Sequence, residues 1–320
     1  MLRPSTPLLA VVSLAALVGA APSPARIERT VAVPSGTKFV LDTDGGSVVV
    51  RGTSRSDASV VVTSPSGDLE SRITVEVKQV GDEVRVVSRR KRGGGSSWFG
   101  LFGTSRTSPR FEVEVPQRTP VRVDTSGGQV QASALRADAS LETSGGAIRV
   151  TDHVGRLAAS TSGGPIRLER VRGSATVETS GGRIEARDID GALRAMTSGG
   201  SIEIAGVTGD VRAETSGGSI RIHDAGGRIE AETSGGSVEA SFRRGNARGG
   251  SLESAGGSVR VALDPAIDLS IEASSSAGSV RSELPVRGTV SRSSVRGTLG
   301  KGGNLLRLHT SAGSVEIGAL

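Results

Sequence analysis

Glu185 and Glu203 are the residues best spaced for catalysis, because they occupy the same position in successive repeats of the chain. Stacked in adjacent strands, their carboxyls would lie about 5 Å apart, near the separation that retaining glycosidases use. Any two acids in one column of a parallel ladder share that spacing, however, and this row also holds Arg149, Arg167 and Arg221. No aromatic sugar platform accompanies the pair, so the row reads as a solvated face of mixed charge. A second outward row of Glu142, Glu178, Glu214 and Glu232 has the same character and would attract cations weakly. His153, His223 and His309 fall at different phases of the repeat, which gives neither a Ser/His/Asp set nor a multi-histidine metal site. No catalytic, cofactor-binding or metal residues are therefore expected. The best interaction candidate is the basic run Arg89, Arg90, Lys91 and Arg92 with the nearby Trp98, Phe99, Leu101 and Phe102, since Arg beside aromatics suits an anionic membrane surface or an acidic glycan.

The elements that position these residues follow from one repeat. Thr-Ser-Gly-Gly begins at Thr125, Thr143, Thr161, Thr179, Thr197, Thr215 and Thr233, in steps of 18 residues. Looser copies follow at Ser254, Ser275 and Thr310 after steps of 21, 21 and 35, and an earlier copy at Thr43 stands apart. Within a unit, Ser201-Ile202-Glu203-Ile204 and Asp210-Val211-Arg212-Ala213-Glu214 alternate polar and apolar around a bend, which predicts two short strands per repeat. Val130, Ile148, Ile166, Ile184, Ile202, Ile220 and Val238 hold one apolar phase. Ala139, Leu157, Ala175, Leu193, Val211 and Ile229 hold another, and Leu141, Ala159, Val177, Ala195, Ala213 and Ala231 a third. A two-strand unit cannot bury its apolar face alone, so neighbouring units must stack. The expected fold is all-β: a narrow single-stranded parallel β-solenoid (β-helix) with 18-residue turns, whose N-terminal strands cover the first turn. At about 4.8 Å per turn the regular part makes a rod of roughly 35 Å. The paired glycines are expected to supply positive φ at a sharp corner. The Thr and Ser hydroxyls are expected to bond local backbone or the next turn.

Composition agrees with a rod. The 320 residues include 46 Gly but only five Phe, one Trp and no Tyr, so a core of Ala, Val, Ile and Leu must keep its layers close. A hydrophobic content of 35% exceeds what disordered chains carry. The net charge of +6 is local, since residues 89–92 supply +4 of it, and nucleic acid is not an expected partner. Absence of Cys removes disulfides, thiol catalysis and thiolate metal sites. Arg3, the apolar run Leu8 to Ala20 and the small residues before Pro22 have the form of a secretory leader, assigned to residues 1–21. Beyond it come an N-terminal β region over 27–119, with a mobile insertion at 88–109, and solenoid repeats over 120–320, regular at 125–240 and irregular at 241–320. The strand Ser314 to Leu320 has no evident cap and is expected to leave a pairing edge.

At this point the sequence resembles the bacterial putative-adhesin domain family, secreted or envelope β-strand-repeat proteins of undefined biochemical role. The resemblance rests on Val33-Pro34-Ser35-Gly36, the Thr-Ser-Gly-Gly units, Ser276-Ala277-Gly278-Ser279-Val280 with Leu284-Pro285, and the closing stretch Val295 to Ile317. It implies no catalytic residues and nothing about the Trp98 segment. The reading is a noncatalytic interaction module, adhesive in function, exported to the periplasm, cell surface or medium. The alternatives are a carbohydrate-active β-helix enzyme and a self-assembling envelope structure. No cofactor is expected. Candidate partners are envelope polysaccharide, an anionic membrane surface, another envelope protein, or further copies joined end to end. Calcium β-roll chemistry is excluded because the aspartate of that nonapeptide is missing.

Overall fold

The structure is a computed structural model that describes residues 25–64, 69–91, 108–242 and 245–320. Each regular repeat gives one strand to each of two long sheets. Leu193–Thr197 lies in one sheet and Ile202–Val207 in the other, with the Thr-Ser-Gly-Gly corner between them. Every strand pairs in parallel with its equivalents one repeat away: Leu193 stands between Ala175 and Val211, and Ile202 between Ile184 and Ile220. This is the narrow parallel β-solenoid that the 18-residue phase requires.

The three apolar columns point inward, and their members are buried. Size alternates along them. Ala139, Leu157, Ala175 and Leu193 face one channel, while Leu141, Ala159, Val177 and Ala195 follow two residues on. In three of these four coils a Leu is matched with an Ala, and the order reverses from coil to coil, so large side chains alternate with small ones along the channel. The aromatics Phe39, Phe111 and Phe242 are fully buried outside the regular coils.

At the corners the threonine hydroxyls bond local and neighbouring backbone as expected, but the glycines serve a different purpose. Each corner threonine is buried and holds two coils together. Thr197 Oγ1 donates to the Gly182 carbonyl of the preceding coil at 3.0 Å and accepts from the Gly200 N–H of its own corner at 3.2 Å. Thr161, Thr179, Thr215 and Thr233 repeat both bonds. The second glycine of the regular corners from Gly146 to Gly236 does not adopt a left-handed φ, contrary to the sequence argument. Its requirement is space: a Cβ at Gly200 would stand 1.8 Å from the Gly182 carbonyl oxygen. At the first glycine, Gly199, the nearest atom is 3.7 Å away, an ordinary contact. Left-handed backbone occurs instead at the opposite bend, again every 18 residues, at Ala134, Asp152, Arg170, Asp188, Gly206 and Asp224. Only Gly206 among these is a residue type that signals that conformation.

Both ends of the rod double back. The coil made by Lys38–Thr43 and Ser47–Thr53 sits between the coil of Glu83–Arg90 with Arg110–Pro116 and that of Val121–Thr125 with Val130–Ser133. The copy at Thr43 therefore pairs directly with Thr125. Residues 117–120 form the turn between Arg110–Pro116 and Val121–Thr125. Antiparallel strands Ile73–Val80, Asp57–Ser64 and Ala25–Ala32 finish this end. At the other end, Leu305–Thr310 slots between Gly250–Ser254 and Leu269–Ser275. Val315–Ala319 likewise lies between Val259–Leu263 and Val280–Ser282. The C-terminal strand is thus paired on both sides, which corrects the expected open edge. The reason is that the chain skips one coil position, turns through the antiparallel strands Arg287–Val290 and Ser294–Leu299, and returns to fill it.

These contacts predict opposite outcomes for two neighbouring glycines. Gly200→Ala should destabilise the rod by about 2–3 kcal/mol through backbone overpacking, whereas Gly199→Ala should change stability by less than about 0.5 kcal/mol. Thermal unfolding of the two variants checks this, and equal midpoints would sink the stacking argument.

Candidate functional site

The outward rows fall where the period places them. Arg149, Arg167, Glu185, Glu203, Arg221 and Glu239 stand side by side across successive strands. Glu185 is paired with Arg167 at 2.6 Å, and Glu203 with Arg187 at 3.4 Å. The two carboxylates are thus rungs of an ion-pair ladder, with guanidiniums beside both. Nothing in that arrangement separates them into the acid and nucleophile of a retaining glycosidase.

The basic run is divided between a strand and its continuation. Ser88, Arg89 and Arg90 belong to the strand Glu83–Arg90, so the strand continues past the expected start of the insertion at 88. Arg89 donates to Asp42 Oδ1 at 2.8 Å and also reaches Asp44. Its guanidinium, hydrogen-bonded to Asp42, holds that carboxyl below the usual carboxylate range. The Lys91 ammonium donates to the Glu70 carbonyl at 2.7 Å. Arg92, Trp98, Phe99, Leu101 and Phe102 lie outside the described residues.

The second acidic row forms one wall of a groove that sequence reasoning did not anticipate. It follows the corner edge of the rod with a volume of about 510 Å³. One side carries Glu142, Ser160, Glu178, Met196, Glu214 and Glu232 in register. The other carries the corner serines Ser144, Ser162, Ser180, Ser198, Ser216 and Ser234, and the buried threonines line it between them. Two causes act together. Thr must turn inward to bond the neighbouring coil, and Ser, next in the chain, is left outside with its hydroxyl directed to solvent. Glu214 is ion-paired with Arg212, whereas Glu142, Glu178 and Glu232 make no ion pair among the described residues. Glu142 and Glu178 are two coils apart, or roughly 10 Å.

The histidines remain separate, and among the described residues no group of three or more His, Cys, Asp or Glu could hold a metal ion. His223 lies on an outward row beside Ala205. His309 meets Ser274, with Nδ1 2.9 Å from Oγ, although the two are 35 residues apart. The 35-residue step in the motif spacing was the one sequence signal of that meeting. His153 is 1% exposed in a column shared with Val171, Ile189 and Val207, and among the described residues neither ring nitrogen has a hydrogen-bond partner.

A family model described as Toastrack DUF4097 matches residues 36–318. No curated protein matches the sequence. Among solved structures, the chain is similar to a putative adhesin from Bacteroides fragilis, with 13% identity and a TM-score of 0.34 over 92% of this chain and 98% of that one. It is similar to a putative adhesin from Parabacteroides merdae, with 10% identity and a TM-score of 0.37 over 92% and 96%. A putative lipid binding protein from Parabacteroides distasonis has 12% identity and a TM-score of 0.36 over 92% and 96%.

Burial pushes the His153 imidazole below its ordinary value of 6.5. A group with a depressed folded pKa binds its proton more readily in the unfolded chain, so stability rises with pH through this window. The stabilisation is complete above about pH 6.5 and is lost as pH falls below it. His153→Val, which matches Val171 in the same column, should raise the thermal midpoint at pH 5.5 more than at pH 7.5. An equal shift at both pH values would show that the ring is not the acid-sensitive group.

Proposed function

Because the chain belongs to the Toastrack DUF4097 family, we propose that it is an exported, adhesive interaction module of the cell envelope whose ligand is a linear polysaccharide lying along the corner groove. The observation that carries this reading is the continuity of the groove. Six successive coils present the same serine hydroxyl, with a carboxylate in four of them, at a constant rise. A repeating surface of this kind favours a repeating ligand, since each added unit of polymer meets the same donors and acceptors without new chain entropy being fixed in the protein. Serine hydroxyls donate hydrogen bonds to sugar hydroxyls and accept them, and carboxylates accept them. Glu142, Glu178 and Glu232, without an ion pair among the described residues, favour a neutral or amino-bearing glycan over an acidic one. The leader-like N-terminus supports export. The paired state of Glu185 and Glu203 favours holding a glycan over cleaving it.

Affinity electrophoresis through gels containing neutral, amino-bearing or acidic polysaccharides tests the reading. The wild type should be retarded by a neutral or amino-bearing polymer. Ser180→Trp combined with Ser198→Trp, two exposed positions in mid-groove, should weaken retardation by about tenfold or more while leaving the thermal midpoint in place. Wild-type mobility that no polymer alters would overturn the proposal, and protection of intact cells' protein from external protease would place it inside the envelope rather than at the surface.

A further inference from the structure

The acidic row that walls the groove does not end at Glu232. Strand register carries it on through Glu253 and His309 to Ser274, one coil at a time. The last three residues line a pocket of about 560 Å³ against the rod's C-terminal cap, together with Glu272, Ser294, Arg296 and Arg307. Ser274 Oγ stands 2.9 Å from His309 Nδ1, and both side chains are half-buried. On the other side of His309 along the row is Glu253, whose carboxylate is fixed by the Ser251 hydroxyl at 2.5 Å. Hydroxyl and imidazole thus stand as a hydrogen-bonded nucleophile and base, with Glu253 the next residue along the row. Arg296 and Arg307 bring positive charge to the same pocket, held by Glu272 at 3.3 and 3.5 Å.

We infer that Ser274 and His309 form an acyl-transfer centre whose substrate class is the carboxylic ester, as in an O-acylated sugar of a polymer running along the groove. With the imidazole proton on Nε2, Nδ1 accepts the Ser274 hydroxyl proton as Oγ bonds to the ester carbonyl carbon. The carbonyl oxygen takes the negative charge near the two guanidiniums. Collapse breaks the bond to the alcohol oxygen, which leaves with the proton from Nδ1. Water, deprotonated by the same nitrogen, then attacks the acyl-serine, releases the carboxylic acid and restores the Ser274 hydroxyl. Ser274 and His309 are the catalytic residues. The chemistry of the centre stands on its own geometry, whereas the choice of an acylated glycan rests on the groove reading.

The test is covalent labelling of the full chain with a fluorophosphonate, which traps an activated serine, followed by peptide mapping, alongside hydrolysis of p-nitrophenyl acetate. The expected result is one phosphonylated residue, Ser274, and ester hydrolysis that Ser274→Ala abolishes. His309→Gln should slow labelling by about 100-fold or more. Both variants change outward side chains and should keep the wild-type thermal midpoint. Labelling of Ser274 and retardation of the wild type by polysaccharide are separate readouts, so failure of the centre and failure of the groove reading are distinguished. Labelling absent from Ser274, or proceeding at the wild-type rate in His309→Gln, would overturn the inference.

Discussion

Backbone approaches backbone at the Thr-Ser-Gly-Gly corners too closely for any side-chain carbon, and the rest of the molecule follows from that approach. With 1.8 to 2.2 Å between the site of a Cβ on the second corner glycine and the carbonyl oxygen below, successive coils stack in register along this edge from Gly146 to Gly257. The register then fixes which side chains meet. Parallel strands repeat every residue type one coil further on, so the apolar columns, the corner threonines and the charged rows are all copies of a single local decision. The threonine hydroxyl completes the corner. It satisfies the carbonyl of one coil and the N–H of the next, leaving few of the buried polar groups that a tight turn would otherwise strand.

The repeating part of this architecture was legible in the sequence. An 18-residue phase with two alternating segments defines both sheets, and Ile148, Leu157 and Leu141 point inward where the alternation puts them. The corner glycines were legible as a position but not as a cause, because Gly is chosen both for positive φ and for lack of Cβ, and sequence does not distinguish the two. The left-handed column at the opposite bend was hidden for a related reason. Asp and Arg fill it at Asp152, Arg170 and Asp188, and an Asp152–Arg170 ion pair joins adjacent coils there.

What sequence order could not convey is spatial order at the ends. Reading along the chain puts Ser275 after Ser254 and Thr310 last. In space Thr310 comes between them, as its bond to the Gly257 carbonyl and the Ser275 bond to the Gly313 carbonyl record. For the same reason the outward row that is regular through Glu232 gained His309 and Ser274 without any local motif to announce them. The corner groove escaped notice on other grounds: it is a shape produced by the inward turn of Thr beside the outward turn of Ser, and neither residue alone implies a concavity.

The doubled-back ends give the rod an unusual mechanical character. A load applied at Leu320 acts first on Val315–Ala319, which is hydrogen-bonded to Val259–Leu263 on one flank and Val280–Ser282 on the other. Such a strand cannot be peeled from a free edge one bond at a time. It must slide out from between two neighbours, breaking both ladders in shear, so a tether placed at this end would pull on the stack as a whole.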